Sequence, residues 1–499
     1  MTEVVACVRR ILKHSSRLVL LPLCLALAAF APAAPSFLGT AAWKQDFEQL
    51  KREMASHYAN LQWAVERRGL NLPKLSAETS ARLDAAKTDS EARAAIGSFL
   101  SVFGDGHLEV RWPQVEPAIA SPAPPASMFA ACADYRPGRR APGLDWSAFP
   151  AFEPVDSAAS AYFPAAVVAV SGHGRLGVLR IDLFDEHRFP ELCEAAARGL
   201  GLSPKAACDE ACAGPVERET ANLLTRRLEQ QIEALKRRHI HALLVDITNN
   251  GGGSNWVAVA ARSVTAKHLL EPRQGFIRHD HWVRQLSSRL RDLEADLPRV
   301  DARDRPLLEQ ARMQYRIALA EARKPCPREA MWIGQKPGCS LVSTAGPLYA
   351  AGVLRYAAPG SLPRNLTCCY LFGPQRYRYR EGVWAGPLLV LVDGGTASAA
   401  EYFAALLQDN RAAAIVGMPT YGAGCGYTDG GIETRLVHSG GQVRMPDCVR
   451  FRADGTNEVQ GVTPDLAVPW LENDSPAERS RRLQKVLPQA LTKVGASRG

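Results

Sequence analysis

The stretch Leu388 to Gly417, LLVLVDGGTASAAEYFAALLQDNRAAAIVG, decides the fold. An apolar run of strand length, Leu388–Val392, stops at Asp393-Gly394-Gly395. The small residues Thr396-Ala397-Ser398-Ala399-Ala400 turn into an amphipathic helix beginning near Glu401. A serine on a strand-to-helix turn holds its hydroxyl outside the sheet, next to backbone N–H groups that no helical turn satisfies. Two readings of Ser398 follow from this alone. It is a nucleophile placed in the helix N-terminal field, or it is an ordinary N-cap.

Upstream the same architecture recurs. Arg175–Phe184 carries the strand pattern GVLRIDLF, and a charged helix follows, VERETANLLTRRLEQQIEALKRR. His241–Ile247 then forms an apolar strand that ends in Asp246-Ile247-Thr248-Asn249-Asn250-Gly251-Gly252-Gly253-Ser254. Strand, long helix, apolar strand and glycine turn make a βαβ unit. Consecutive glycines let N–H groups face a cleft without a Cβ in the way, as an oxyanion hole requires. A phosphate cradle needs the same freedom, but no lysine follows at P-loop spacing.

Two motifs lie further out. Phe103-Gly104-Asp105-Gly106-His107-Leu108-Glu109-Val110 sets a histidine on a glycine turn before a short strand. Histidine is suited to take a proton from serine near neutral pH, although an isolated one is more often structural. Glu458-Val459-Gln460-Gly461-Val462-Thr463-Pro464-Asp465 places an acid before a Gly/Pro-punctuated strand, where an exposed loop carboxylate is the plain reading. His279-Asp280-His281 and His239-Ile240-His241 have same-face spacing on a strand but lack a third ligand, so no metal is expected. Asn365-Leu366-Thr367 matches a glycosylation acceptor, a pattern frequent by accident.

The chain has 499 residues and a formal charge of +9, without a basic stripe interleaved with aromatics, which argues against nucleic acid as a partner. Some of that charge sits in Arg9, Arg10, Lys13 and Arg17, ahead of the apolar run Leu18–Phe30 and the A-x-A patterns Ala29-Phe30-Ala31 and Ala31-Pro32-Ala33. Residues 1–34 therefore read as a signal peptide, with an uncleaved anchor as the alternative. A periplasmic or secreted location is expected, with no integral membrane segment after cleavage. Removing Cys7 and Cys24 leaves ten of the twelve cysteines, several close in sequence, which reads as disulfides formed in an oxidising compartment. Cys425–Cys448 is the preferred pair.

The expected organisation is a helical module at 43–110 and a proline- and alanine-rich connection at 111–170. A core follows at 171–282 and 326–470, with an inserted helical hairpin at 283–325 and a tail at 471–499. The hairpin is charge-rich and is read as a solvated arm rather than a binding device.

Taken in order, GDGH, DITNNGGG, VDGGTASAAE with LQDNRAAAIVG, and GVTPD resemble the tail-specific or C-terminal processing serine peptidases. The resemblance implies an α/β core of the crotonase/Clp-like type and a serine-type endopeptidase that cleaves polypeptides through an acyl-enzyme without a cofactor. It matches Ser398 to the nucleophile, and the N–H groups of Gly252 and Ala399 to the oxyanion hole. The turn that carries the lysine base in serine–lysine members reads Thr420-Tyr421-Gly422-Ala423-Gly424 here, and alanine cannot accept a proton. The chain is therefore similar to the tricorn-core branch, which implies His107 as base and Glu458 as the acid behind it. The second serine of that branch is replaced by Gly106. No carboxylate-binding loop of a PDZ module is legible between Arg111 and Val170. The alternative function is a catalytically silent relative that binds a ligand in the same cleft.

Overall fold

Three apolar runs of strand length build the centre of this computed structural model, whose described residues are 37–113, 128–138, 143–205, 207–362 and 368–495. The expected signal peptide, the Asn365 acceptor and much of the proline-rich stretch lie outside the described residues. The large sheet has seven strands: β1 (Glu153–Pro154), β2 (Ala165–Val170), β3 (Gly174–Arg180), β4 (Ala242–Asp246), β5 (Leu388–Val392), β6 (Ala414–Gly417) and β7 (Leu466–Ala467). They lie side by side in chain order. β1, β2 and β3 pair antiparallel, and β3 to β7 pair parallel. Every residue of β4, β5 and β6 is buried, the state that makes parallel strands read as unbroken apolar runs.

Alternate side chains of β5 serve the two faces. Leu388, Val390 and Val392 join a core with the helices Glu210–Lys236, Val257–Ser263 and Ala399–Asp409. Leu389 and Leu391 pack against Leu483, Leu487 and Leu491 of the last helix, Pro476–Lys493. The βαβ unit forms as the pattern implies, with β3 and β4 parallel across the helix Glu210–Lys236. The pairing Asp246↔Leu391 sets the ends of β4 and β5 next to each other. The glycine turn and the serine turn therefore leave the sheet side by side, at the edge where parallel α/β sheets carry their sites.

The stretch 111–170 contains β1 and ends in β2, whose short Ala/Val run is largely buried between β1 and β3. The larger correction concerns the arm. Its helices, Asp280–Asp296 and Arg305–Ala322, are packed rather than solvated. Trp282, Leu286 and Leu293 from one, and Leu308, Ala311, Tyr315 and Ala318 from the other, form a second apolar core. That core includes residues of a three-stranded antiparallel sheet, Cys448–Arg450, Arg273–Ile277 and Val342–Tyr349. One apolar stripe per helix is enough for burial, and the charges that dominate the sequence occupy the remaining faces.

Four helices precede the histidine turn: Thr40–His57, Leu61–Glu66, Leu72–Ala85 and Asp89–Ser101. Thr88 caps the last by accepting the N–H of Glu91 at 3.2 Å. Four disulfides are present among the described residues, Cys132–Cys193, Cys208–Cys212, Cys326–Cys339 and the expected Cys425–Cys448. No helix among the described residues is long and apolar enough to cross a membrane.

Candidate active site

Ser398 stands at the N-terminus of the helix Ala399–Asp409 with φ 56° and ψ −118°. A non-glycine residue in this region stores strain, and such strain persists only where neighbours over-determine it. Here they do. Thr396 Oγ1 donates to the carbonyl of Ile247 at 3.0 Å, and Ala397 N–H to that of Asn250 at 2.9 Å. Asp393 accepts the N–H groups of Asn249 at 2.7 Å and Gly395 at 3.1 Å. The two turns are thereby laced into one unit. At Gly252, φ +107°, an added Cβ would meet Ser398 Cβ and Ala399 N, each at 2.8 Å, so only glycine allows this approach.

Ser398 Oγ lies 3.0 Å from His107 Nε2. His107 Nδ1 lies 2.6 Å from the carbonyl of Ala423. A carbonyl only accepts, so Nδ1 carries the proton and the neutral ring turns the Nε2 lone pair toward the serine. Burial pushes the His107 pKa below the ordinary histidine value, and the charges of Arg450 and Arg444 act the same way. The neutral form that a base requires is thereby favoured.

The D-G-H turn is held from behind. Asp105 is buried and accepts from Tyr58 Oη at 3.0 Å, Asn60 Nδ2 at 2.8 Å and His107 N–H at 3.0 Å. Burial raises its pKa to about 6. The Tyr427 hydroxyl donates to the His107 carbonyl, and its ring meets the imidazole edge-on at 5.3 Å.

Glu401 is the residue whose part sequence reasoning missed. It is fully buried and accepts from Ser398 N–H at 2.9 Å, Thr420 Oγ1 at 2.6 Å, Gly422 N–H at 2.7 Å and Ala423 N–H at 2.8 Å. One carboxylate thus ties the serine turn to the turn whose carbonyl orients His107. Burial pushes its pKa up in spite of these donors. The signal was present, since S-x-x-E is the spacing at which a glutamate reaches back to the N-cap N–H.

The structure does not bring Glu458 to His107. Glu458 is 1% exposed and grips Arg450, with Arg450 Nε 3.1 and 3.0 Å from its two oxygens and Nη2 2.6 Å from Oε1. Arg450 Nη2 in turn donates to the carbonyl of Gly424 at 2.7 Å. The acid therefore reaches the imidazole only through an arginine and the backbone of the 420–424 turn. Gly252 also differs from expectation: its N–H is spent on Asn250 Oδ1 at 2.9 Å. Among the described residues no acceptor engages the N–H of Ala399 or of Gly253.

Ser398, His107, Ala399 and Gly253 open into a cavity of about 600 Å³, and no lysine is among the residues that line it. His281 and His241, two of the histidines considered for metal, bond to other protein groups. His281 Nε2 meets the carbonyl of Thr428 at 2.8 Å and Asp447 at 3.2 Å, and His241 Nδ1 accepts the N–H of Arg175 at 3.1 Å. Among the described residues, Asp185, Glu186 and His187 bring one ligand atom each within 4.8 Å of one another. There Asp185 Oδ1 already accepts from His187, and Glu186 from Ser254.

The peptidase family S41 matches residues 217–468, about half of the chain. Over 84 residues the chain is 34% identical to the carboxy-terminal-processing protease of Bartonella bacilliformis, a match covering 16% of this chain and 18% of that protein. Over 85 residues it is 38% identical to carboxyl-terminal-processing peptidase 2, chloroplastic, of Arabidopsis thaliana, covering 17% and 15%. The matches thus span under a fifth of these relatives. The crystal structure of mature CPAF superposes with a TM-score of 0.58 at 17% identity, over 91% of this chain and 98% of that one, a likeness of fold. The chain belongs to peptidase family S41.

Proposed function

With S41 membership as the premise, we propose that this chain is an exported serine-type endopeptidase in which Ser398 is the nucleophile and His107 the base. The observation that carries the reading is the 3.0 Å approach of Ser398 Oγ to an imidazole whose other nitrogen is fixed on a backbone carbonyl. As Ser398 Oγ bonds to the substrate carbonyl carbon, its proton passes to His107 Nε2. The oxyanion forms beside the unengaged N–H groups of Ala399 and Gly253 and the positive end of the helix Ala399–Asp409. His107 then returns the proton to the leaving amine, and water repeats the sequence on the acyl-enzyme. The imidazolium leans on the Ala423 carbonyl rather than on a carboxylate, with Glu458 acting at a distance through Arg450. Four disulfides and a basic-then-apolar N-terminal segment support export into an oxidising compartment.

A fluorophosphonate probe tests the reading against that of a silent relative. The mature protein should be labelled at Ser398 and should hydrolyse casein-derived peptides. Ser398→Ala should abolish both while melting at the same temperature, since one hydroxyl on a turn is lost. A folded Ser398→Ala protein that keeps its peptidase activity would overturn it.

A further inference from the structure

The helical arm supplies a wall of the catalytic cavity. Trp282, Arg289 and Tyr315, all from its two helices, line the same space as Ser398 and His107. Arg289 is half-buried there. Its guanidinium donates to Gln285 Oε1 at 3.3 Å, sits 5.8 Å from the centre of the Trp282 ring and lies beside the Tyr315 phenol. These neighbours are all neutral, and Arg289 forms no ion pair among the described residues.

The other charges on the cavity wall are accounted for differently. Arg450 is locked by Glu458, and Arg376 faces Glu217 at 3.5 Å. Asp429 is exposed at the rim, where water solvates its carboxylate, and it pairs with no cation among the described residues. Among the described residues, Arg289 is thus the cation inside the cavity left without a counter-ion. A guanidinium partly withdrawn from water and held in place by neutral groups matches a planar, bidentate carboxylate.

We infer that Arg289 is a specificity-determining residue that selects polypeptides presenting a carboxylate to the catalytic cavity. This rests on the reading of Ser398 and His107 as the reacting pair and names the substrate class for that site. The carboxylate has two possible sources, an aspartate or glutamate side chain near the scissile bond or the free C-terminus of the substrate. The same guanidinium serves either.

Three peptides of one sequence separate them: an internal glutamate with an amidated C-terminus, the glutamine equivalent with a free C-terminus, and the glutamine equivalent amidated. The wild type should cleave one or both carboxylate peptides with a kcat/KM about tenfold above the neutral one, mainly through KM. Arg289→Gln should bring that ratio to about one, Arg289→Lys should keep part of it, and Arg289→Glu should turn it toward a lysine-bearing peptide. Which carboxylate peptide loses its advantage identifies the source. Anisotropy measurements of the same peptides on Ser398→Ala give the ranking without chemistry, so a failure of the catalytic reading and a failure of this one remain distinct. An unchanged ranking in Arg289→Gln, in turnover or in binding, would overturn the assignment.

Discussion

The two sides of the catalytic cavity are built on different principles. The side that carries Ser398, the glycine turn and the proposed oxyanion donors sits on the ends of β4 and β5, two parallel strands whose pairing fixes the turns to each other. The side that carries Trp282, Arg289 and Tyr315 hangs on a separate core with its own antiparallel sheet. Local backbone constraint places the reacting atoms, and side-chain packing between distant segments shapes what reaches them. Substitutions on the first side should act on kcat with little change in KM. Substitutions on the second should act on KM and on the choice of peptide.

The hardest test of that division is Glu401, because its one carboxylate bonds both the serine turn and the 420–424 turn. In Glu401→Gln an NH2 group replaces one acceptor and points at N–H donors already in place. Buried donors left unsatisfied cost about 1–3 kcal/mol each. The fold should lose roughly 3 kcal/mol by denaturant titration, and kcat should fall about a hundredfold, the scale on which a displacement of about 1 Å acts. KM for a given peptide should hardly move. A rise in KM with kcat preserved would break the comparison, since Glu401 would then be shaping the binding wall.

The next effect is read in stability as much as in rate. Cys425–Cys448 closes a separation of 23 residues and joins the turn behind His107 to the strand that carries Arg450. Constraint of the unfolded chain by a loop of that length is worth about 3 kcal/mol. The double serine variant should melt at a lower temperature and turn over more slowly, because the Ala423 carbonyl and Arg450 lose a shared anchor. Cys208–Cys212, with a separation of 4 and no residue in the cavity, is the control. Its double serine variant should show a smaller loss of stability and an unchanged kcat.

The same division explains what the sequence made legible. The strand–turn–helix around Ser398, the glycine turn after β4 and the histidine turn are local patterns, each written within about ten residues. Their order along the chain also carried the family. The Ala423 carbonyl left no such trace, since any residue type supplies a carbonyl. Arg450 was equally silent: an arginine on a short strand is an ordinary exposed residue until the fold buries it against Glu458. The arm misleads because its helices expose most of their charged faces, and five or six buried positions per helix are easily outweighed in the reading of composition. Cys132–Cys193, separated by 61 residues, was beyond any argument from closeness in sequence, whereas Cys425–Cys448 was within it.

The smallest expected effect concerns Glu458 and the pH profile together. His107 must be neutral to accept the serine proton, so activity is present above its pKa and is lost as pH falls through it. Burial holds that pKa below the ordinary value of about 6.5. The ascending limb of kcat/KM should therefore lie on the acid side of 6.5, far from the alkaline limb of a lysine base. If Glu458 bonded directly to the imidazole, removing its charge would cost about 10⁴ in turnover, the loss seen when a triad acid is neutralised. It instead grips Arg450 at 2.6 Å, and Arg450 already disfavours the imidazolium. Glu458→Gln should leave that arginine less compensated, move the ascending limb further toward acid pH, and lower kcat by no more than about tenfold. Rates measured from pH 4 to 9 on the wild type and this variant decide it. A loss near 10⁴ would place the carboxylate in direct contact with His107 during catalysis, and the acid would belong with the reacting atoms rather than with the frame that holds them.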